Sequence, residues 1–167
     1  MPNTTLRPLT RDDTGVLHSA VFAGEDPDPH GYLFKGGRPE TVEQVHEIVE
    51  WLMDGFEAGA ALQPFLLTDD SNQVVGLGWI TEGEEGDAPE MSFIVGPMFR
   101  GQGHASTMAA QLAQIALGNG AGTVEAVVDI DNEPVVVLLE KLGFEVASAE
   151  HLTTHEVTWS KRADNVA

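Results

Sequence analysis

Apolar residues along the chain alternate with polar ones in some segments and recur every three or four positions in others. These two periods divide the sequence into strands and helices. Residues 5–10, TLRPLT, predict a short first strand, and residues 11–22, RDDTGVLHSAVF, a helix whose acidic start suits an N-terminus. Residues 23–39, AGEDPDPHGYLFKGGRP, form a long loop rich in Pro and Gly. Residues 40–59 then carry the clearest helical stripe, Val45, Ile48, Val49, Leu52 and Phe56. QPFLLT (63–68) and QVVGLGWITEG (73–83) read as strands around the turn residues DDSN, and EMSFIV (90–95) as a third strand after an acidic turn. HASTMAAQLAQIAL (104–117) is a helix with Met108, Leu112 and Ile115 on one side, ended by GNGAG. TVEAVVDID (123–131) is a strand. NEPVVVLLEKLGF (132–144) is a shorter helix, with Asn132 as its cap, Pro134 in its first turn and Gly143 at its end. EVASAE (145–150) and HLTTHEVTWS (151–160) alternate as a final antiparallel pair.

This order predicts a mixed α/β (α+β) fold with one central sheet. A single domain is expected over 1–160, with 161–167 as a frayed tail. A 42% share of apolar residues among 167 is enough for a core and argues against disorder. The formal charge of −19 disfavours nucleic acid and anionic membrane surfaces as partners and favours cationic ones. The plainer reading of that charge is a solvated surface, including adaptation to high salt. With no cysteine there is no disulfide, thiolate zinc site or cysteine acyl-enzyme. No apolar run is long enough to span a membrane, no secretory h-region opens the chain, and a cytoplasmic location is expected.

The charge concentrates on one helix. Glu40, Glu43, Glu47, Glu50, Asp54 and Glu57 follow steps of three and four, with no Lys or Arg among them. They form either a solvated face or a wall that attracts a cation.

VGPMFRGQGHAS, residues 95–106, is the chemically suggestive stretch. Gly101 and Gly103 let the backbone turn tightly and approach a ligand, the next helix presents unpaired N–H groups, and Arg100 adds a cation. The combination suits a diphosphate, although an ordinary Gly-rich strand–helix turn also fits. A Walker A loop does not fit, because the lysine and its spacing are missing. A dinucleotide GxGxxG does not fit either, because Ser106 stands where the last glycine belongs and three strand candidates precede it.

On these residues the chain resembles the GNAT superfamily of acyl-CoA-dependent N-acetyltransferases. Arg100, Gly103 and Ala105 match its [RQ]-x-x-G-x-[GA] signature, and NEPVVVLLEKLGF is similar to its late motif, an Asn followed by a helix ending in LGF. The resemblance covers nearly the whole chain. It implies a mostly antiparallel sheet, splayed at strands 4 and 5 and flanked by helices, and acetyl-CoA as co-substrate with no metal. Amides of Gln102, Gly103, His104, Ala105 and Ser106 would hold the pyrophosphate, and Arg100 and Gly101 belong to the same loop. The backbone of Phe93, Ile94 and Val95 would pair with the pantetheine arm, and one of those amides would polarise the thioester carbonyl. Asn132 would reach the pantetheine or the sulfur.

An alkyl ammonium must lose a proton before it attacks a thioester, so a general base is useful. Glu90 opens the fourth strand on the face of Ser92 and Ile94, and many relatives keep an acid near this place. A surface glutamate on an acidic hairpin is the alternative. Many relatives also carry a Tyr before the EKLGF ending to protonate the leaving thiolate; here that position is Leu139. The one tyrosine, Tyr32, lies in the long early loop, so Tyr32 folds over the site, or water protonates the sulfur, or activity is weak. His151 and His155, four apart on a strand, are too distant to share one ion. Trp51, Trp79 and Trp159 are expected to pack in the core or on the sheet.

The leading expectation is direct acetyl transfer to a cationic amine, small or peptide-borne, by an enzyme for which a homodimer stays open. An acyl-CoA-binding module with little catalysis is the alternative, and a scaffold that binds a basic protein through the acidic helix is a third.

Overall fold

The computed structural model describes residues 4–28, 34, 37–59, 62–82, 88–148 and 156–163. Its strands are β1 (Thr5–Pro8), β2 (Leu62–Thr68), β3 (Val74–Thr81), β4 (Glu90–Val95), β5 (Thr123–Asp129), β6 (Glu145–Ser148) and β7 (Glu156–Arg162). They form one sheet of seven strands in the order β1-β2-β3-β4-β5-β7-β6. Every neighbouring pair is antiparallel except β4 and β5. The mixed α/β class, the element order and the splay expected between the fourth and fifth strands all appear.

The expected final antiparallel pair forms over Glu145–Ser148 and Glu156–Arg162, with 149–155 outside the described residues, and its second strand takes the inner place. β7 matches β5 residue for residue from Thr123↔Arg162 to Asp129↔Glu156. The four-residue β6 is left at the edge, where a short strand limits unwanted pairing. The tail expected over 161–167 is corrected at its first residues, and 164–167 lie outside the described residues. Lys161 and Arg162 belong to β7, and the Ala163 N–H donates to the Gly122 carbonyl at 2.8 Å.

Strand alternation sorts the core into two layers. Leu66, Leu77, Trp79 and Ile94 face Leu17, Phe22, Val45, Val49 and Leu52 on the front. Leu67, Met91, Val95, Val124, Ala126 and Val128 face Met108, Leu112 and Leu139 on the back. The front helices are α1 (Thr14–Leu17) and α2 (Val42–Glu57); the back helices are α3 (His104–Gly118) and α4 (Glu133–Lys141). α2 starts where Thr41 and Gln44 exchange hydrogen bonds, each between one residue's side chain and the other's N–H, both at 3.1 Å.

The first helical segment is not uniform. A 3-10 turn (Arg11–Asp13) precedes α1, and a π turn (His18–Phe22) follows it. The 3-10 turn is anchored by Asp13, which accepts from Arg7 at 2.9 and 3.0 Å and from the Thr10 N–H at 2.7 Å.

Candidate active site

β4 and β5 register at one pair only, Glu90 with Glu125, where the Glu125 N–H donates to the Pro89 carbonyl at 2.8 Å. Beyond that pair the two parallel strands diverge. On the other side of β4, the Gly96 N–H donates to the Val75 carbonyl at 2.8 Å. Antiparallel pairing alternates, so the backbone groups of Ile94 and Ser92 also turn to β3. Those of Phe93 and Val95 turn into the gap. Of the three residues expected to offer their backbone there, Ile94 is engaged with Leu77 instead.

The gap opens into a cavity of about 830 Å³, within the range of small-molecule sites. Phe93, Ile94 and Val95 form one wall, Arg100 and Gly101 with the first turn of α3 a second, and α4 from Asn132 to Lys141 a third. Gly103, His104, Ala105 and Ser106 all line it, whereas Gln102 is exposed and does not.

Gly103 sets the direction of α3. Its φ of 83° is left-handed, a conformation costly to any residue with a Cβ. The first bond of the helical ladder is Thr107 N–H to the Gly103 carbonyl, at 3.1 Å. The N–H groups of His104, Ala105 and Ser106 therefore have no ladder partner and stand at the positive end of the helix dipole. His104 is 4% exposed and lies edge-on to Phe99, with its ring centroid 6.5 Å away. Its Nδ1 is buried with no hydrogen-bond partner among the described residues. An orphaned donor or acceptor in a cavity wall is satisfied when a polar ligand reaches it.

Arg100 lines the cavity, and its Nη2 also donates to the Pro27 carbonyl. It thereby fastens Pro27 and Asp28 at the cavity edge, a contact between residues far apart in sequence. Asn132 occupies the cap position of α4 but makes no capping bond through its side chain, contrary to the expected cap. Its carbonyl accepts from Val135 and Val136 at 3.2 and 3.1 Å, and the residue lines the cavity. Lys141, which no sequence motif singled out, adds a cation to the same wall.

Glu90 stands outside the cavity, three residues along β4 from Phe93, a separation of about 10 Å in a strand. Its side chain is solvent-exposed, as a surface glutamate's would be, yet the surrounding protein desolvates it in part. That desolvation first, and the Glu125 charge second, push its carboxyl above the ordinary carboxylate range. Leu139 is fully buried in the back layer, so this position serves packing and offers the cavity no acid. Tyr32, His151 and His155 lie outside the described residues.

The acidic stripe is less bare than its spacing implies. Arg11 ion-pairs with Glu50 at 3.1 Å, with Asp54 at 2.8 Å and with Glu57, and the Glu57 and Glu50 carboxylates raise its pKa. Arg38 reaches Glu40 at 3.4 Å. Glu43 and Glu47 have no ion pair among the described residues. Trp51, four residues after Glu47 and on the same flank, is 61% exposed rather than packed. It stands edge-on to Trp79, centroids 6.5 Å apart. Trp79 and Trp159 are buried as expected.

A family model described as "Acetyltransferase (GNAT) domain" matches residues 3–145. No curated protein sequence gives a significant match. Among solved structures, the chain is similar to an acetyltransferase of the GNAT family from Bacillus anthracis. The TM-score is 0.75 and the identity 19%, with 98% of this chain and 99% of that one covered. It is also similar to spermidine N-acetyltransferase from Vibrio cholerae in complex with CoA and spermine, at TM-score 0.74 and 18% identity, with 96% of each chain covered. A third is ribosomal-protein-S5-alanine acetyltransferase from Vibrio fischeri, at TM-score 0.74 and 13% identity, covering 100% of this chain and 97% of that one. At these identities the structural likeness speaks for the fold.

Proposed function

This chain belongs to the GNAT acetyltransferase family, and on that premise we propose that it transfers the acetyl group of acetyl-CoA to a cationic amine by direct attack in a ternary complex. The observation that carries the donor side is the gap between β4 and β5, opening onto the N-terminus of α3. The free amides of His104, Ala105 and Ser106 suit a pyrophosphate, with Arg100 and Lys141 supplying local positive charge in a chain of −19. The gap-facing backbone of Phe93 and Val95 suits a pantetheine amide arm, and an N–H there suits the carbonyl oxygen on which charge develops. Asn132 suits the sulfur end. The orphaned Nδ1 of His104 fits a polar group of the same ligand.

Glu90 acts as the general base. Its distance from Phe93 along β4 calls for water between carboxylate and amine. One proton leaves the ammonium for Glu90, the neutral nitrogen attacks the acyl carbon, and the C–S bond breaks. The attached nitrogen releases its second proton through water, which balances the one taken up by the thiolate. A thiol with a pKa of about 8.5 leaves without a strong acid, so water or Tyr32 suffices to protonate it. A cationic acceptor is supported by the front of the molecule, where Glu47 and Trp51 flank the side of the sheet that carries Glu90. Carboxylates and an exposed indole together favour an alkylammonium. The spermine-bound fold relative agrees with an amine acceptor.

The test is release of free thiol from acetyl-CoA with a panel of di- and polyamines, lysine peptides, and neutral or anionic amines. Turnover confined to cationic acceptors, with KM rising as salt is added, supports the reading. Glu47→Gln should raise KM, and Glu50→Gln, already paired by Arg11, should not. Binding of CoA without turnover of any amine would instead favour an acyl-CoA-binding module.

A further inference from the structure

Glu125 is absent from every sequence motif, yet it faces Glu90 across the one registered pair of β4 and β5. The bond from its N–H to the Pro89 carbonyl, 2.8 Å, holds that register. Registered residues of neighbouring strands send their side chains to the same face. Val124 and Ala126, on either side of Glu125, lie in the back layer, so Glu125 is on the front with Glu90. The row across the sheet at this level reads Thr81, Glu90, Glu125, Ser160 and Glu145. Glu90 is thus faced by a hydroxyl from β3 and a carboxylate from β5, with Ser160 of β7 and Glu145 of β6 beyond. Arg162 of β7, registered with Thr123, is a cation on this face two residues along from Ser160. Arg7 of β1, registered with Leu66, is another at the far edge, paired with Asp13. From α2, Glu47 is the acid on the flank of Trp51.

Resting on the reading of Glu90 as general base, we propose that Glu125 is a positioning residue whose carboxylate, fixed beside Glu90 by the backbone pair, makes Glu90 a stronger base toward the acceptor's ammonium. A carboxylate beside Glu90 disfavours its ionised form, so Glu90 holds a proton more tightly than it would alone. In the reaction the N–H bond of the ammonium breaks and its electron pair stays on nitrogen. That proton passes through water to Glu90 and on to solvent. Once the C–N bond has formed, the nitrogen gives up its second proton through water to the thiolate released as the C–S bond breaks. Desolvation and the Glu125 charge both push the Glu90 carboxyl upward, in the direction this role needs.

The experiment compares pH profiles of kcat/KM for the parent, Glu90→Gln, Glu125→Gln and Glu125→Asp, with acetyl-CoA and the best amine of the panel. Glu90→Gln should abolish the acid limb. Glu125→Gln should move that limb down by about 1 pH unit, since it removes a neighbouring like charge. Glu125→Asp should keep it near its parental position. A purely structural role would lower the rate without moving the limb. If Glu125→Gln lowers the rate alone, or changes nothing, while Glu90→Gln removes the limb, the proposal for Glu125 fails and the base stands. If the limb survives Glu90→Gln, the base reading fails and takes this proposal with it. Glu125→Asp is the second variant: it keeps a carboxylate in the row, so its limb should lie above that of Glu125→Gln. Limbs that coincide in Glu125→Asp and Glu125→Gln overturn the proposal.

Discussion

Gly96, at the end of β4, lies so close to the carbonyl oxygen of Ala20 that a Cβ on it would stand 2.3 Å from that oxygen. The contact joins the π turn of the front layer to the segment that leads into the Arg100–Ser106 loop. Gly96→Ala must push backbone against backbone, and overpacking of this kind costs about 1–3 kcal/mol. The urea midpoint should fall with an unaltered slope. Affinity for CoA should fall as well, because the displaced segment carries Arg100. A variant as stable as the parent would mean that the two segments separate freely.

Gly103 tests the anion cradle. Its φ of 83° makes Gly103→Ala strained, by about 1–2 kcal/mol for a left-handed residue with a Cβ. Gly103→Glu adds a negative charge beside the amides of His104 to Ser106. Calorimetry should show weakened CoA binding for Ala and lost binding for Glu, with circular dichroism unchanged. Parental affinity in the Glu variant would remove this loop from the cofactor site.

Glu90 should cost the protein stability at neutral pH. Its folded-state pKa is raised, chiefly by desolvation. Its favourable contribution is therefore complete below the ordinary carboxylate pKa and is lost as pH rises through the folded value. Glu90→Gln carries no charge to desolvate. Its Tm should equal or exceed the parent's at neutral pH, and the difference should fade toward pH values below the carboxylate range. A lower Tm at neutral pH would show that the ionised carboxylate has a structural partner.

Asp13 behaves in the opposite sense. Burial pushes its carboxyl up, but hydrogen bonds from Arg7 and from the N–H and hydroxyl of Thr10 outweigh burial and hold it below the ordinary range. The contribution is present above the unfolded pKa and is lost as pH falls through the folded one. Asp13→Asn should destabilise the protein at neutral pH by about 1–3 kcal/mol, the scale for a buried group left poorly paired. The gap should close in acid. Chemical denaturation at neutral and acidic pH reads both effects, and a gap independent of pH would assign the loss to packing.

Much of this molecule is legible in local pattern. Hydrophobic periods, Thr41 with Gln44, and the turn residues Asp69 to Asn72 place the elements close to where they form, because the forces that set them act within a few residues. The Arg100–Ser106 loop is legible for the same reason: a left-handed Gly103 and the start of α3 are neighbours in sequence. The helix over residues 11–22 is less so, since its 3-10 and π turns follow contacts with Arg7 and Gly96 that local propensity does not contain.

The chain by itself determined the order of its strands and helices, the glycine-bearing loop at the head of α3, and the excess of negative charge. Only the tertiary structure decided which charges meet. Arg11 reaches Glu50, Asp54 and Glu57 from some forty positions away and quiets a stripe that looks bare in sequence. Glu125 stands beside Glu90, Ile94 turns its amide to β3 while Phe93 and Val95 keep theirs for the gap, and β7 takes the place beside β5. Each of these depends on the register of two strands, or the docking of two segments, at once. A one-residue slip in either partner would send every side chain to the other face, so neither segment's sequence alone contains the answer.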